Sequence, residues 1–519
     1  MKISKMLLLL GVFQLTAFTS LKLPGIYTDN MVIQQNSSAL FRGWADPGEI
    51  IHINSEPAGL KGIAVADTDG RWETKIETPA ADNMPMQITI SSRNDRTVLH
   101  NVLLGEVWLA SGQSNMNFPL FGVHNADAEV KAANFSNIRL FAVPRRTTDI
   151  PQKDIHGAEW MVCNPKNASG FSAVGYYFAA NIHRELGVPV GIIKSAVGGT
   201  PIEAWMDRPT LEMQLPQMAE HYDTFSQKWH NGGKEIYDEK LHSYEEELKA
   251  ADGQEKDKPA QPRPPMGPEH IQHPCGLYNG MIEPVAGYTL RGFIWYQGEG
   301  NSWRAKGYID LSRAMVQLWR QKWNARLPFY FVQIAPCSYY DQNSQGMENI
   351  CSELREAQRL SLEAIPDSGM AVSLDTVDDI DDIHPRNKKV IGKRLALIAL
   401  NKTYGQDVIY SGPVLRKTVC QGSTLRLTFD HAHGGLVVKD TEQNWFEIAG
   451  SDGKYYPADV KIDGDSLLLS SGKVQNPATA RYAWSNTAGA SLFNGEGLPA
   501  SSFRTDNSSW QTEDKWSYF

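Results

Sequence analysis

The sequence predicts an α/β protein in which a parallel sheet, covered on both faces by helices, is flanked by an all-β segment at each end. Three observations predict it. Between Gly105 and about residue 407, short apolar runs alternate with longer segments of helical periodicity, and strands that alternate with helices build parallel sheets buried on both faces. From about Leu23 to His100 the runs are short, alternate apolar with polar and are cut by turn residues, the texture of a small β domain. Beyond Val408 the same texture returns.

In chain order, Ile51-His52-Ile53 and Gln87-Ile88-Thr89-Ile90 alternate, while Asp46-Pro47-Gly48 and Asp69-Gly70 supply turns, so residues 21–102 read as a β-sandwich-like domain. The α/β core, residues 103–407, takes its strands from Val107–Ala110, Ile138–Val143, Val190–Ile193, Phe293–Trp295, Phe329–Ile334 and Met370–Leu374. Its clearest helices are Ala173–Leu186, Tyr308–Trp319 and Lys388–Leu400. Residues 207–274 interrupt this core with the charged stretch Tyr244-Glu245-Glu246-Glu247-Leu248-Lys249 and the Pro-rich run Lys258 to Pro268, a pattern that reads as a solvated surface excursion. Residues 408–519 form the closing β domain, with Thr424–Phe429, Gly435–Val438, Val460–Ile462 and Ser466–Leu469 around Asp452-Gly453 and Asp463-Gly464 turns.

Composition agrees with a folded, multidomain chain. Its 519 residues exceed the length one core serves, about 250–300 residues. Fifty basic against 59 acidic residues leave a net charge of −9, which argues against a nucleic-acid partner. The five cysteines are scattered, form no C-x-x-C pair and are odd in number, so neither a disulfide framework nor a zinc site is expected. At the N-terminus, Lys2 and Lys5 precede the apolar run Met6 to Phe13, followed by Ala17, Thr19 and Ser20, the order of a secretory signal over residues 1–20. That reading places the mature protein outside the cytoplasm, secreted or periplasmic, with no membrane span. A buried N-terminal helix and a retained anchor are the alternatives, and the run is shorter than the roughly 20 residues that cross a bilayer.

Chemistry concentrates at the strand ends. In Gly105 to Met116, an apolar strand runs into Gly112-Gln113-Ser114-Asn115, which puts Ser114 at the carboxyl end of the first core strand, where open α/β sheets hold ligands. The alternative is an ordinary turn. A serine nucleophile needs a base, and His384 follows the last core strand in Asp381-Asp382-Ile383-His384-Pro385, with a carboxylate two or three residues back to orient it. The alternative there is an acidic helix-capping loop. Asp375, Asp378, Asp379, Asp381 and Asp382 lack the spacing of a calcium loop, so no metal is expected. Ser195-Ala196-Val197-Gly198-Gly199-Thr200 and Trp295-Tyr296-Gln297-Gly298-Glu299-Gly300-Asn301 end two further strands. Gly199 offers a backbone N–H, and Gln297 or Asn301 a side-chain amide, to a developing oxyanion. Each is alternatively a βα turn.

Taken together, Gly112-Gln113-Ser114-Asn115-Met116, Gly198-Gly199-Thr200, Trp295-Tyr296-Gln297-Gly298-Glu299 and Asp382-Ile383-His384-Pro385 resemble the sialate O-acetylesterase family of SGNH-type hydrolases. The flanks Tyr27 to Gln34, Leu277 to Ile282 and Phe493 to Ala500 carry the likeness across about residues 24–505. The resemblance implies an SGNH-like three-layer α/β core and a secreted enzyme that removes O-acetyl groups from sugars without metal or cofactor. It assigns Ser114 as nucleophile, His384 as base, and Ser114, Gly199 and Gln297 as oxyanion donors. The broader SGNH pattern places its acid at Asp381, the family form at Asp382, so the orienting carboxylate stays open. An O-acetylated sialic acid is the name-giving substrate, for whose carboxylate Arg304 and Arg386 are candidates. Acetylated xylan or another polysaccharide, and a non-catalytic carbohydrate-binding role, are the competing readings. Trp108, Trp205, Trp295 and Trp303 lie close to the motif blocks, as core or as sugar platforms.

Overall fold

A computed structural model of the protein describes residues 21–250, 262, 267–343, 347–440 and 443–513. The expected signal segment and most of the Pro-rich run lie outside the described residues.

The core sheet has the order Ser368–Ala371, Phe329–Val332, Gly292–Tyr296, Arg96–Gly112, Val190–Ala196, Phe135–Ala142, Trp160–Cys163. All neighbours are parallel except the last pair. The central strand explains the two covered faces. Val107 and Leu109 point into one core and Trp108 and Ala110 into the other, all fully buried. Helices Ala173–Leu186 and Lys388–Lys402 cover the second face, while Tyr308–Trp323 and Ile350–Ala364 cover the first. Ala173–Leu186 has the signals its sequence offers: the Ser172 hydroxyl accepts from the Gly175 N–H at 3.0 Å, and Gly187 ends it with φ +67°. The SGNH-like α/β core is therefore as expected, with mixed rather than wholly parallel pairing at one edge.

The central strand is 17 residues long and crosses the expected boundary at residues 102 and 103. Its first part, Arg96 to Val102, pairs antiparallel with Met86–Ser91, which continues to Ile50–Glu56 and Lys61–Val65. Ser37–Trp44 and Arg71–Thr78 form the facing ribbon. Strand Ile50–Glu56 alternates buried and exposed throughout, which accounts for its visibility in the sequence. At the other end, two four-stranded antiparallel sheets pack around Leu427, Phe446, Leu467, Tyr482 and Phe503. No helix among the described residues is long and apolar enough to cross a membrane.

Three strands end at one level. Gly112 pairs in register with Ala196 on one side and Tyr296 on the other. Gly112 has φ +142°, and a Cβ there would fall 2.2 Å from the Tyr296 carbonyl oxygen, so no side chain fits. Replacing Gly112 with Ala should destabilise the fold by about 2 kcal/mol or more. A lowered urea midpoint checks this, and an unchanged midpoint would show that the strands separate freely.

Candidate active site

Ser114 begins the short turn of helix Ser114–Asn117 directly after the Gly112 crossing. The crossing is stitched from both sides: the Gln113 N–H donates to Tyr296 O at 3.0 Å and the Val197 N–H to Gly112 O at 3.1 Å. Gln113 Oε1 then accepts the N–H groups of Gly298 and Gly300, at 3.3 and 3.2 Å. Its side chain thus ties the serine turn to the Gln297 block.

Ser114 Oγ and His384 Nε2 lie 2.8 Å apart, although 270 residues separate them in the chain. The loop from Leu374 to Pro385 is held carboxylate by carboxylate. Asp375 makes a bidentate pair with Arg394, at 2.6 Å for each oxygen. Asp378 meets His124 Nε2, Asp379 accepts the Asp381 N–H, and the Ser338 hydroxyl donates to Asp381. Asp382 faces the histidine: its Oδ1 accepts the His384 backbone N–H at 2.8 Å and lies 3.6 Å from Nδ1. Of the two carboxylates left open by sequence, Asp382 is beside the imidazole and Asp381 is turned to Ser338.

Burial, and after it the Lys388 charge, pushes the His384 imidazole below its ordinary value against the opposing pull of Asp382. A neutral imidazole can accept a proton from a serine hydroxyl. Phe118 stacks on the His384 ring, 6.4 Å between centroids.

Gly198 sits against the serine, since a Cβ there would come within 3.2 Å of Ser114 Cβ. Gly199 follows with φ +71°, a conformation glycine adopts without penalty. Its carbonyl accepts from Gln272 Nε2 at 2.9 Å, so the returning end of the 207–274 excursion braces this loop.

Gln297 differs from the sequence expectation. Its Nε2 donates to Thr200 O at 3.1 Å and to Asn301 Oδ1 at 2.7 Å, and its Oε1 accepts from the Tyr308 hydroxyl at 2.9 Å. With both protons committed and the side chain fully buried, it braces the Thr200 and Asn301 turns. Asn301 is committed too, donating to Glu203 Oε2 at 3.0 Å and accepting from the Ile202 N–H at 2.9 Å. Glu203 in turn accepts from Arg304 at 2.9 Å, and both are buried, which keeps Arg304 from solvent. Ser114 itself opens a helical turn, and the first N–H of such a turn lacks an intrahelical acceptor. Trp108, Trp205 and Trp295 are core residues, while Trp303 is half-buried.

Two residues that sequence reading passed over complete the site. Asn115 Nδ2 donates to Glu299 Oε1 at 2.6 Å and to Ile383 O at 3.1 Å, and its Oδ1 accepts from Lys388 Nζ at 2.5 Å. Adjacency of Asn115 to Ser114 was the available signal. Lys388, in Asn387-Lys388-Lys389, gave none.

Known proteins share this architecture. Residues 104–252 match the family described as carbohydrate esterase, sialic acid-specific acetylesterase. The sialate O-acetylesterase of Rattus norvegicus is 27% identical over 504 residues, covering 88% of each chain. That of Homo sapiens is 25% identical over 496 residues, covering 88% of this chain and 86% of its own. The crystal structure of a carbohydrate acetylesterase from Xanthomonas citri is 32% identical, with a TM-score of 0.77, covering 94% of this chain and all of its own. Agreement at that identity along almost the whole chain makes the protein a member of the sialate O-acetylesterase family of carbohydrate esterases, and so an ester hydrolase.

Proposed function

We propose that the protein removes acetyl groups from O-acetylated sugars, with 9-O-acetylated sialic acid as the first substrate to test, through an acetyl-enzyme on Ser114. The observation that carries this reading is the 2.8 Å contact of Ser114 Oγ with His384 Nε2 beside Asp382. Ser114 Oγ attacks the acetyl carbonyl carbon and His384 Nε2 takes its proton, while the backbone amides of Ser114 and Gly199 receive the oxyanion. The intermediate collapses, the C–O bond to the sugar breaks, and His384 protonates the departing alkoxide. Water, deprotonated by the same imidazole, then releases acetate and restores Ser114. Asp382 orients His384 and stabilises its cation. The enzyme acts after export, on the charge and apolar order of its first 20 residues.

A specific observation favours a second substrate class. Arg304 is enclosed with Glu203, so it offers no cation to a sialic acid carboxylate. Arg386 remains: it is exposed, two residues past His384, and anchored by Nε on Gly122 O at 2.8 Å. If Arg386 does not serve, a neutral acetylated polysaccharide such as xylan is the substrate.

Ser114→Ala should lower acetate release by about three orders of magnitude or more. Asp382→Asn should cost more than tenfold and Asp381→Asn little, as measured on a generic acetyl ester. Full activity of Ser114→Ala would sink the mechanism.

Because the imidazole must be neutral and its affinity for a proton is lowered, the acid limb of kcat/KM should have its midpoint below about 6.5. A pH profile on an uncharged ester reads it directly.

Arg386→Gln should raise KM for 9-O-acetylated sialic acid about tenfold, the value of one charge-assisted hydrogen bond. KM for acetylated xylan should not move. Equal KM on both substrates before and after the change assigns the neutral sugar.

A further inference from the structure

Behind Ser114 and His384 lies a buried line of polar groups that the hydrolytic steps do not use. Lys388, Asn115 and Glu299 come from three different elements: the start of the last core helix, the serine turn, and the turn after strand Gly292–Tyr296. Lys388 Nζ donates to Asn115 Oδ1 at 2.5 Å, and Asn115 Nδ2 donates to Glu299 Oε1 at 2.6 Å and to Ile383 O at 3.1 Å. One amide thus stands between a cation and an anion, polarised in the same sense by both. It also grips the carbonyl that immediately precedes His384.

We propose that Lys388 and Asn115 are positioning residues: through the bridge to Glu299 they hold the Ser114 turn and the His384 loop in register, and the Lys388 ammonium opposes protonation of the imidazole. The proposal rests on Ser114 and His384 acting as nucleophile and base.

Burying an ammonium and a carboxylate is unfavourable for each ion unless it is compensated. Lys388 is 1% exposed and Glu299 is 7% exposed. The Lys388 ammonium is compensated by the Asn115 carbonyl and by two rings: Phe118, with its centroid 4.8 Å from Nζ, and Tyr296, at 5.4 Å. Glu299 Oε2 has no hydrogen-bond partner among the described residues; burial raises the proton affinity of this carboxyl, and its own backbone N–H, the Asn115 amide and then the Lys388 charge act against that rise. The other titratable groups facing this cluster are Asp382 and His384 on the loop before the helix, and Cys337 and Tyr340 on the Glu299 side. Burial pushes Lys388 down to about 7, while Glu299 and Asp382 pull it up. Below that pH, where His384 takes up its proton, Lys388 carries its charge and acts against that uptake.

The test is kcat and KM against pH for the mature full-length chain on p-nitrophenyl acetate, with variants Lys388→Met, Glu299→Gln and Ser114→Ala. Without the cation, His384 binds its proton more readily. The acid limb of Lys388→Met should therefore move up by about half a pH unit or more, with the plateau kcat falling about tenfold and KM nearly constant. Glu299→Gln keeps volume and shape, so it serves even if the Met variant does not fold. It removes the anion that sustains the Lys388 charge, and its limb should move in the same direction. Slower turnover with an unmoved limb in the folded variants would overturn the proposal and leave the bridge as structural support. Activity in Ser114→Ala would instead overturn the nucleophile assignment on which the proposal stands.

Discussion

The site depends on one close approach, that of the Gly112 backbone to Tyr296 on the neighbouring strand. Parallel register brings Ala196, Gly112 and Tyr296 to one level, and each strand then turns outward into a motif loop. The three loops are hydrogen-bonded to one another independently of the contact between Ser114 and His384: Val197 to Gly112, Gln113 to Tyr296, and Gln113 again to Gly298 and Gly300. A side chain at residue 112 would occupy the position of the Tyr296 carbonyl. Glycine there is a condition of the geometry at Ser114.

What the sequence made visible is what obeys a single period or a single turn rule. Helix Ala173–Leu186 was legible to the residue because its capping serine, apolar face and terminal glycine all agree. Strand ends were legible because apolar runs stopped at glycines, and Ser114 stands just past such an end; His384 lies further on, in the loop after strand Ser368–Ala371, and the fold brings it to Ser114. Helix Ile350–Ala364 was not legible, since its buried face carries Glu353, Arg355, Glu356 and Gln358. Three of those side chains bond outside the helix, Glu353 to Thr512, Arg355 to Ser485 O and Gln358 to Gln297 O, while Glu356 pairs with Arg359 one turn on. A polar residue whose partner lies far along the chain breaks the pattern by which buried faces are recognised. Gln297 was misread for a related reason. Its position at a strand end was apparent, but the partners that occupy its amide, Thr200 and Asn301, come from the fold.

The acidic loop shows how charge density and order coexist. Asp375, Asp378, Asp381 and Asp382 each have a separate partner, so each carboxylate is held locally. The C-terminal β domain enters here. Asn486 accepts the Cys351 N–H at 3.0 Å through its side chain and the Cys337 N–H at 3.0 Å through its carbonyl. Cys337 precedes Ser338, whose hydroxyl reaches Asp381. The closing β domain thus supports the loop that carries His384 from outside, as the N-terminal β domain supports Ser114 through the shared central strand.

Asp382 acts on His384 in two ways of unequal reach. Its 2.8 Å bond is to the backbone N–H, which fixes the turn, whereas the ring nitrogen stands 3.6 Å away, beyond hydrogen-bond distance. At that separation the carboxylate still attracts a positive imidazole, so by itself it would make His384 a stronger proton acceptor and a more readily blocked one. A base that also returns its proton to a leaving alkoxide has to be neutral before attack and cationic after it. Burial and the Lys388 charge favour the first state, and Asp382 favours the second. The two charges lie within two and four residues of His384 in sequence, one before it on the loop and the other after it on the helix. The opposing influences on the His384 imidazole thus come from its own neighbours along the chain.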